Sequence, residues 1–273
     1  MPYKSIDFSK HSSIKVGPIA ETYLIEELEY PKGHYILGQC NNVLIGPEHP
    51  PLMLLGKNFD YIKIEDSLLC VGAATPSGKL LSFCKKHNIT HFELLPKLPG
   101  NLGGMIKMNA GLKEFEIFNY LHSIKTENGI LLKSDIPHGY RWTDFNGIVF
   151  EARFEIHNGF NEEHLEMFKK MRDNQPTDPS AGSCFKNPKG DSAGRLIQEA
   201  GLRGHRIGDM AFSEKHANFL VNLGKGSFKE AMELIQLAQI KVYEKFGIWL
   251  ENEVVIVDER YRGDNSPLNK PRT

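Results

Sequence analysis

No stretch of the 273-residue sequence approaches the ~20 apolar residues that a bilayer-spanning helix requires. The start, Met1-Pro2-Tyr3-Lys4-Ser5-Ile6-Asp7, lacks the apolar centre of a secretory signal, so neither export nor a membrane partner is expected. Excess charge is also missing. Lys plus Arg number 33 against 34 Asp plus Glu, which gives no whole-chain attraction to nucleic acid or to an anionic bilayer. Cysteine is scarce. Cys40, Cys70, Cys84 and Cys184 stand far apart and never as Cys-x-x-Cys, which excludes a zinc ribbon and a disulfide framework. Free thiols suit a reducing cytoplasm. There is no internal repeat, and His205 and His216 lack metal-ligand spacing, so no metal is expected. No Gly-x-Gly-x-x-Gly leads from a strand into a helix, and no Gly-x-Ser-x-Gly elbow occurs. A Rossmann dinucleotide domain and an acyl-transfer serine are thereby excluded.

What is present is an ordinary globular composition, 40% hydrophobic and 25% charged, long enough for two domains. Short strand signals dominate the first half. Residues 61–64 and 68–71 flank Glu65-Asp66-Ser67 as a hairpin, and 122–126 and 130–133 bracket Glu127-Asn128-Gly129, whose Asn-Gly is expected to supply positive φ. Residues 80–86 suggest a short helix, and 148–156 alternate like a half-buried strand. The texture changes near residue 160. Helical patterns follow at 161–173 and 191–200, then at 227–246, where apolar spacing ends at Gly247; a strand is expected at 253–257. The polar, proline-containing stretch 263–273 reads as a disordered tail.

Three segments in the first half are dense in Gly and Asn without regular patterning: Leu37-Gly38-Gln39-Cys40-Asn41-Asn42-Val43-Leu44, Leu98-Pro99-Gly100-Asn101-Leu102-Gly103-Gly104, and Met108-Asn109-Ala110-Gly111. Each alone is a turn. Together they offer successive backbone N–H groups and close backbone approach to a bulky anionic ligand. In the second half, Pro179-Ser180-Ala181-Gly182-Ser183-Cys184-Phe185-Lys186-Asn187-Pro188 places a hydroxyl on a tight turn beside a cation and a carboxamide.

These segments, with Gly139-Tyr140-Arg141 and Leu250-Glu251-Asn252-Glu253-Val254, resemble the UDP-N-acetylenolpyruvoylglucosamine reductase (MurB) family of peptidoglycan synthesis. The likeness runs over about residues 11–257 and includes Ala193-Gly194-Arg195, Gly204-His205-Arg206 and Ser213–Phe219. It implies an α+β chain: an FAD-binding fold of the vanillyl-alcohol-oxidase/MurB type, in two α+β subdomains, over 1–160, then a C-terminal α+β substrate domain over 161–262. FAD is implied as cofactor, held by Gly38, Cys40, Asn41, Asn42 and Val43, by Pro99, Gly100, Asn101, Gly103 and Gly104, and by Asn109, Ala110 and Gly111. The chain departs from the family's first loop, Leu-Gly-x-Gly-Ser-Asn-x-Leu, at Cys40 and Asn41, and Asn174 stands where the family usually has Lys. The short path from Arg141 to the next strand resembles the subgroup lacking the tyrosine-bearing insertion.

The implied reaction reduces an enolpyruvyl UDP-sugar with NADPH. It adds a hydride to one alkene carbon and a proton to its neighbour, the hydride coming from the flavin. By resemblance the catalytic residues are Ser183, Arg141 and Glu253. Arg141 is the cation that polarises the conjugated carboxylate. Glu253 binds alongside as a protonated acid or orients Arg141, and Ser183 donates the proton. Arg141, Lys186 and Asn187 are the implied substrate contacts. The partner is then a small UDP-sugar; a monomer is expected, with no nucleic acid. Two other readings share parts of the pattern. A different flavin oxidase would need only the first-half loops, and a UDP-sugar-binding module without activity would fit the altered Cys40–Asn41 loop.

Overall fold

The computed structural model describes residues 2–171 and 173–261; the tail expected at 263–273 lies outside the described residues. The chain is a mixed α+β protein that divides into two compact units. The first takes residues 1–4, 22–39 and 53–173, and the second 5–21, 40–52 and 174 onward. The last of the breaks between the units falls at 173/174. The helix Glu162–Lys170 stays with the first unit because Phe168 packs into that unit's core beside Leu69, Leu102 and Phe118.

The first unit is built on a five-stranded antiparallel sheet in the order Gly129–Leu132, Leu121–Thr126, Val149–Glu155, Leu68–Gly72, Ile62–Glu65. Both expected hairpins form. Asp66 and Ser67 carry the first turn at φ 51° and 62°; in the second, Gly129 alone takes positive φ, at 115°, and Asn128 does not. The strand Val149–Glu155 is not half-buried as its alternation suggested. It lies between two strands, with Ala152 and Phe154 in the main core and Phe150 in a second cluster with Ile25, Met53 and Phe59. Covered on both faces, it buries Glu151, whose carboxylate accepts from Tyr61 Oη (2.6 Å) and Arg153 Nε (2.7 Å). Burial, the largest single influence, raises this carboxyl's pKa, but the two hydrogen bonds and the positive charges of Arg153 and Lys63 together hold the group below the usual carboxylate range.

The first-unit helices Ser77–Lys86 and Leu102–Lys107 cover one face of the sheet through Leu80, Cys84, Leu102 and Ile106. The second helix is capped by Asn101 and fixed at its start by Leu102 N to Thr75 O (3.0 Å) and Gly103 N to Ala73 O (2.8 Å).

The second unit carries a four-stranded sheet in the order Ser180–Ser183, Phe219–Asn222, Met210–Phe212, Arg206–Ile207, antiparallel throughout. Its 19-residue helix Phe228–Phe246 buries Ala231, Leu234, Ile235, Ala238 and Val242. Ser227 and Glu230 cap it reciprocally at the start, and Gly247, at φ 68°, ends it. Val43–Ile45 pairs in parallel with Val255–Val257, which brings residues more than two hundred positions apart onto one ladder.

Candidate active site

Ser183 is the last residue of a short strand instead of the tip of a free turn. Gly182, at φ 79°, accompanies a register shift between Ser180 and Ser183, so the strand bulges where the hydroxyl emerges, half-buried. A Cβ at Gly182 would meet nothing within 4 Å, so backbone conformation, not space, calls for glycine there. Immediately beyond, Asn218 clamps the chain. Its carbonyl accepts from Cys184 N (2.7 Å), its Oδ1 accepts from Phe185 N (3.0 Å), and its Nδ2 donates to Phe185 O (2.8 Å). Asn218 N in turn donates to His216 Nδ1 (3.3 Å). Burial lowers the pKa of His216, which keeps that nitrogen an acceptor.

Glu253 runs alongside. Glu253 N (2.9 Å) and Val254 N (3.2 Å) both donate to Cys184 O, and Lys186 N donates to Glu251 O (2.9 Å). From the other side, Asn42 Nδ2 donates to Glu253 O (2.9 Å) and Asn42 O accepts from Val255 N (2.9 Å). Burial pushes the Cys184 thiol pKa up, and the nearby Glu253 charge pushes it in the same direction. Lys186 Nζ lies 3.7 Å from Glu251 Oε2, and Asn187 Oδ1 accepts from Ala193 N (3.0 Å) at the start of the helix Ala193–Glu199. The backbone just after Ser183 is therefore bridged to the segment bearing Glu253, with Phe185 opposite Asn252. A cavity of about 630 Å³ in the same unit, lined by Lys15, Phe228 and Arg260 among others, includes none of Ser183, Lys186, Asn187 or Glu253.

In the first unit, Arg141 sits in the two-residue turn between His138–Gly139 and Trp142–Thr143, at φ 62°. Its guanidinium donates to Gly111 O (2.8 Å) and lies 5.0 Å from the Tyr140 ring centroid. Gly111 belongs to the pair Gly111–Leu112 with Phe115–Glu116, and a Cβ there would stand 2.4 Å from Phe115 O. Asn109, at φ 43° and fully buried, donates to Glu116 Oε2 (2.7 Å) and Gly139 O (3.1 Å).

The model of the family described as UDP-N-acetylenolpyruvoylglucosamine reductase, C-terminal domain, matches residues 175–257. The UDP-N-acetylenolpyruvoylglucosamine reductase of Helicobacter pylori (strain 26695) is 44% identical over 254 residues, which cover 93% of this chain and 98% of that protein. The chain belongs to the UDP-N-acetylenolpyruvoylglucosamine reductase family. The reductase of Fusobacterium nucleatum is 39% identical, over 92% of this chain and 97% of the relative. The crystal structure of the Thermus caldophilus MurB superposes with a TM-score of 0.83 at 29% identity, covering 93% of this chain and 98% of that one. Family membership makes this chain an oxidoreductase of peptidoglycan precursor synthesis, acting on a UDP-sugar.

Seen as a member of the MurB family, the chain places its anticipated residues in two groups. Arg141 shares the first unit with Gly38, 99–104 and Asn109-Ala110-Gly111; Ser183, Lys186, Asn187 and Glu253 share the second with 40–43. Cys40 takes φ 53°, a conformation natural to the family's Gly, and its carbonyl accepts from Ser13 N (3.2 Å) and Ser13 Oγ (3.3 Å). Burial pushes its thiol pKa up to about 12. Asn41 and Val43 are half-buried. The 99–104 segment runs into the helix Leu102–Lys107. Pro99 and Gly104 are exposed, Gly100 stands at φ 133°, and a Cβ on Gly104 would meet only Asn101 Oδ1, at 3.4 Å. Gly103 and Gly38 serve internal packing instead: Cβ atoms there would approach Ala73 Cβ at 3.2 Å and Asn101 Oδ1 at 2.8 Å. Ala110 is buried, its N–H donating to Met105 O (2.9 Å). Asn218 and Glu116, which sequence reasoning missed, hold the segments bearing Ser183 and Arg141. Asn218 stood inside a block of family likeness; no spacing signal marked Glu116.

Proposed function

We propose that the chain is a cytoplasmic, monomeric, FAD-dependent reductase that uses NADPH to convert UDP-N-acetyl-3-O-(1-carboxyvinyl)-glucosamine to UDP-N-acetylmuramate. The observation that supports this reading is the bridge between Phe185 and Asn252, flanked by hydrogen bonds from Glu253 N and Val254 N to Cys184 O, which keeps Glu253 beside the segment that follows Ser183. FAD suits the exposed Pro99 and Gly104 and the turn at 40–43, and when bound it would supply the hydride that NADPH provides. Residues 1–160 are assigned mainly to the cofactor, and 161–262 to the substrate.

Within this reading Arg141 binds the substrate carboxylate through two N–H groups and stabilises the charge that builds there after hydride arrival. Such stabilisation is worth roughly 10²–10³ in rate per donor. Glu253 joins Arg141 at that carboxylate. Ser183 Oγ gives its proton to the carbon next to the one that accepted hydride, so the enol ether becomes a lactyl ether with two hydrogens added across the double bond. The positive charge of Lys186, three residues on from Ser183, favours the alkoxide left behind, and Asn187 contacts the sugar nucleotide.

Ser183→Ala tests this in an anaerobic visible spectrum. NADPH should bleach the flavin of wild type and variant alike. The enolpyruvyl UDP-sugar should restore colour in the wild type and do so at least ~10²-fold more slowly in the variant. Wild-type recolouring by the variant overturns the proton-donor role. Purified chain that takes up no FAD yet binds the UDP-sugar overturns the flavin reading and favours a binding module.

A further inference from the structure

Both N–H donors of the Asn109 amide are committed. A carboxamide has two N–H donors; here one goes to Glu116 Oε2 (2.7 Å) and the other to Gly139 O (3.1 Å), while Oδ1 accepts from Phe118 N (3.4 Å). No donor is left on Nδ2 for a flavin. What the amide does hold is the hairpin of Arg141. Gly139 pairs with Trp142 across the turn, Arg141 at φ 62° follows, and its guanidinium returns to Gly111 O (2.8 Å). Gly111 is paired with Glu116. The contacts thus close a ring: Glu116, Asn109, Gly139, Arg141, Gly111 and back to Glu116.

We infer that Glu116 is a positioning residue for the reduction: its carboxylate fixes the Asn109 amide, which fixes the hairpin that aims Arg141 at the substrate carboxylate. The physical reason lies in amide symmetry. Turned half a revolution, Asn109 would set its oxygen against the Gly139 carbonyl and its N–H groups against Phe118 N–H, and the hairpin would lose its anchor. A carboxylate accepts only, so Glu116 admits the NH₂ end and rejects the other. The inference rests on the role of Arg141 proposed above.

The test uses the flavin-loaded enzyme with Glu116→Ala, Glu116→Asp, Glu116→Gln, Arg141→Ala and the double variant Glu116→Ala/Arg141→Ala. Flavin reduction by NADPH serves as the internal control for reoxidation by the enolpyruvyl UDP-sugar. Glu116→Ala should slow reoxidation, or raise the KM for the sugar, on the order of 10- to 100-fold while reduction is unchanged. Glu116→Asp, which withdraws the oxygen by one methylene, should do likewise and decides the matter should the alanine variant fail to fold. Glu116→Gln keeps an acceptor oxygen and should recover most of the loss. In the Arg141→Ala background, Glu116→Ala should add nothing. Reoxidation at wild-type speed with an unchanged KM in the Ala or Asp variant, equal slowing of both half-reactions, or multiplying effects in the double variant overturns the inference. Wild-type reoxidation by Arg141→Ala alone overturns the Arg141 role itself, a separate failure.

Discussion

Asn187 shows how one side chain serves stability beside its proposed substrate contact. Its Oδ1 accepts from Ala193 N, an N–H in the first turn of a helix with no intrahelical partner. Asn187→Ala should therefore cost about 1 kcal/mol in urea unfolding, whereas Asn187→Asp, which keeps the acceptor, should not. An alanine variant as stable as wild type would remove the structural role. Cys40 poses the converse case. Its left-handed φ of 53° costs roughly 1–2 kcal/mol relative to glycine, but its side chain is 2% exposed, so packing offsets the strain. The residue that replaces the family's Gly thus keeps the turn and fills space beneath it.

At the scale of elements, the Ser183 segment depends on a relay from His216 to Asn218 to Phe185. Burial lowers the His216 pKa from 6.5. The unfolded chain therefore takes up this proton first. Stability from His216 is full above pH 6.5 and falls as the pH drops through that value toward the lower folded one. The thermal midpoint should decline on acidification, and His216→Asn, which retains an acceptor without titrating, should decline less. An equal decline would assign the acid sensitivity elsewhere, with His91 the next candidate, since burial and His157 lower its pKa too. Elements also explain the least expected burial. Val149–Glu155 has the alternation of a surface strand, yet it is central in its sheet and packs Val149, Phe150, Ala152 and Phe154 into two clusters, and buried Glu151 is met by Tyr61 and Arg153.

For the whole molecule, each unit has its own apolar core, one around Leu102, Phe118 and Phe154, the other around Phe185, Leu196 and Leu234. Both units contain chain segments drawn from before and after residue 50, so neither is a contiguous stretch. A cofactor that binds only the folded chain stabilises it by mass action, about 2.7 kcal/mol at a hundredfold excess over Kd. FAD should therefore raise the thermal midpoint of flavin-stripped chain, and a midpoint unmoved by saturating FAD would count against a flavoprotein.

The local features were legible in the sequence because their causes are local. Ser227, Glu230 and Gly247 delimit the long helix through caps that act within a few residues, and the two hairpins in the first unit follow from turn residues beside apolar runs. The family too was legible, since its motifs are short and keep their order along the chain. What only the tertiary structure decided involves partners distant in the chain. Asn42 reaches Glu253 across 211 positions, Phe168 joins a core built a hundred residues upstream, and the 5–21 and 40–52 segments cluster with the second unit. Asn109 and Glu116 are only seven residues apart, yet their meaning depends on Gly139 and Arg141, thirty residues on. A side-chain amide is directed by whichever donors and acceptors surround it after folding, and no spacing in the sequence encodes that choice.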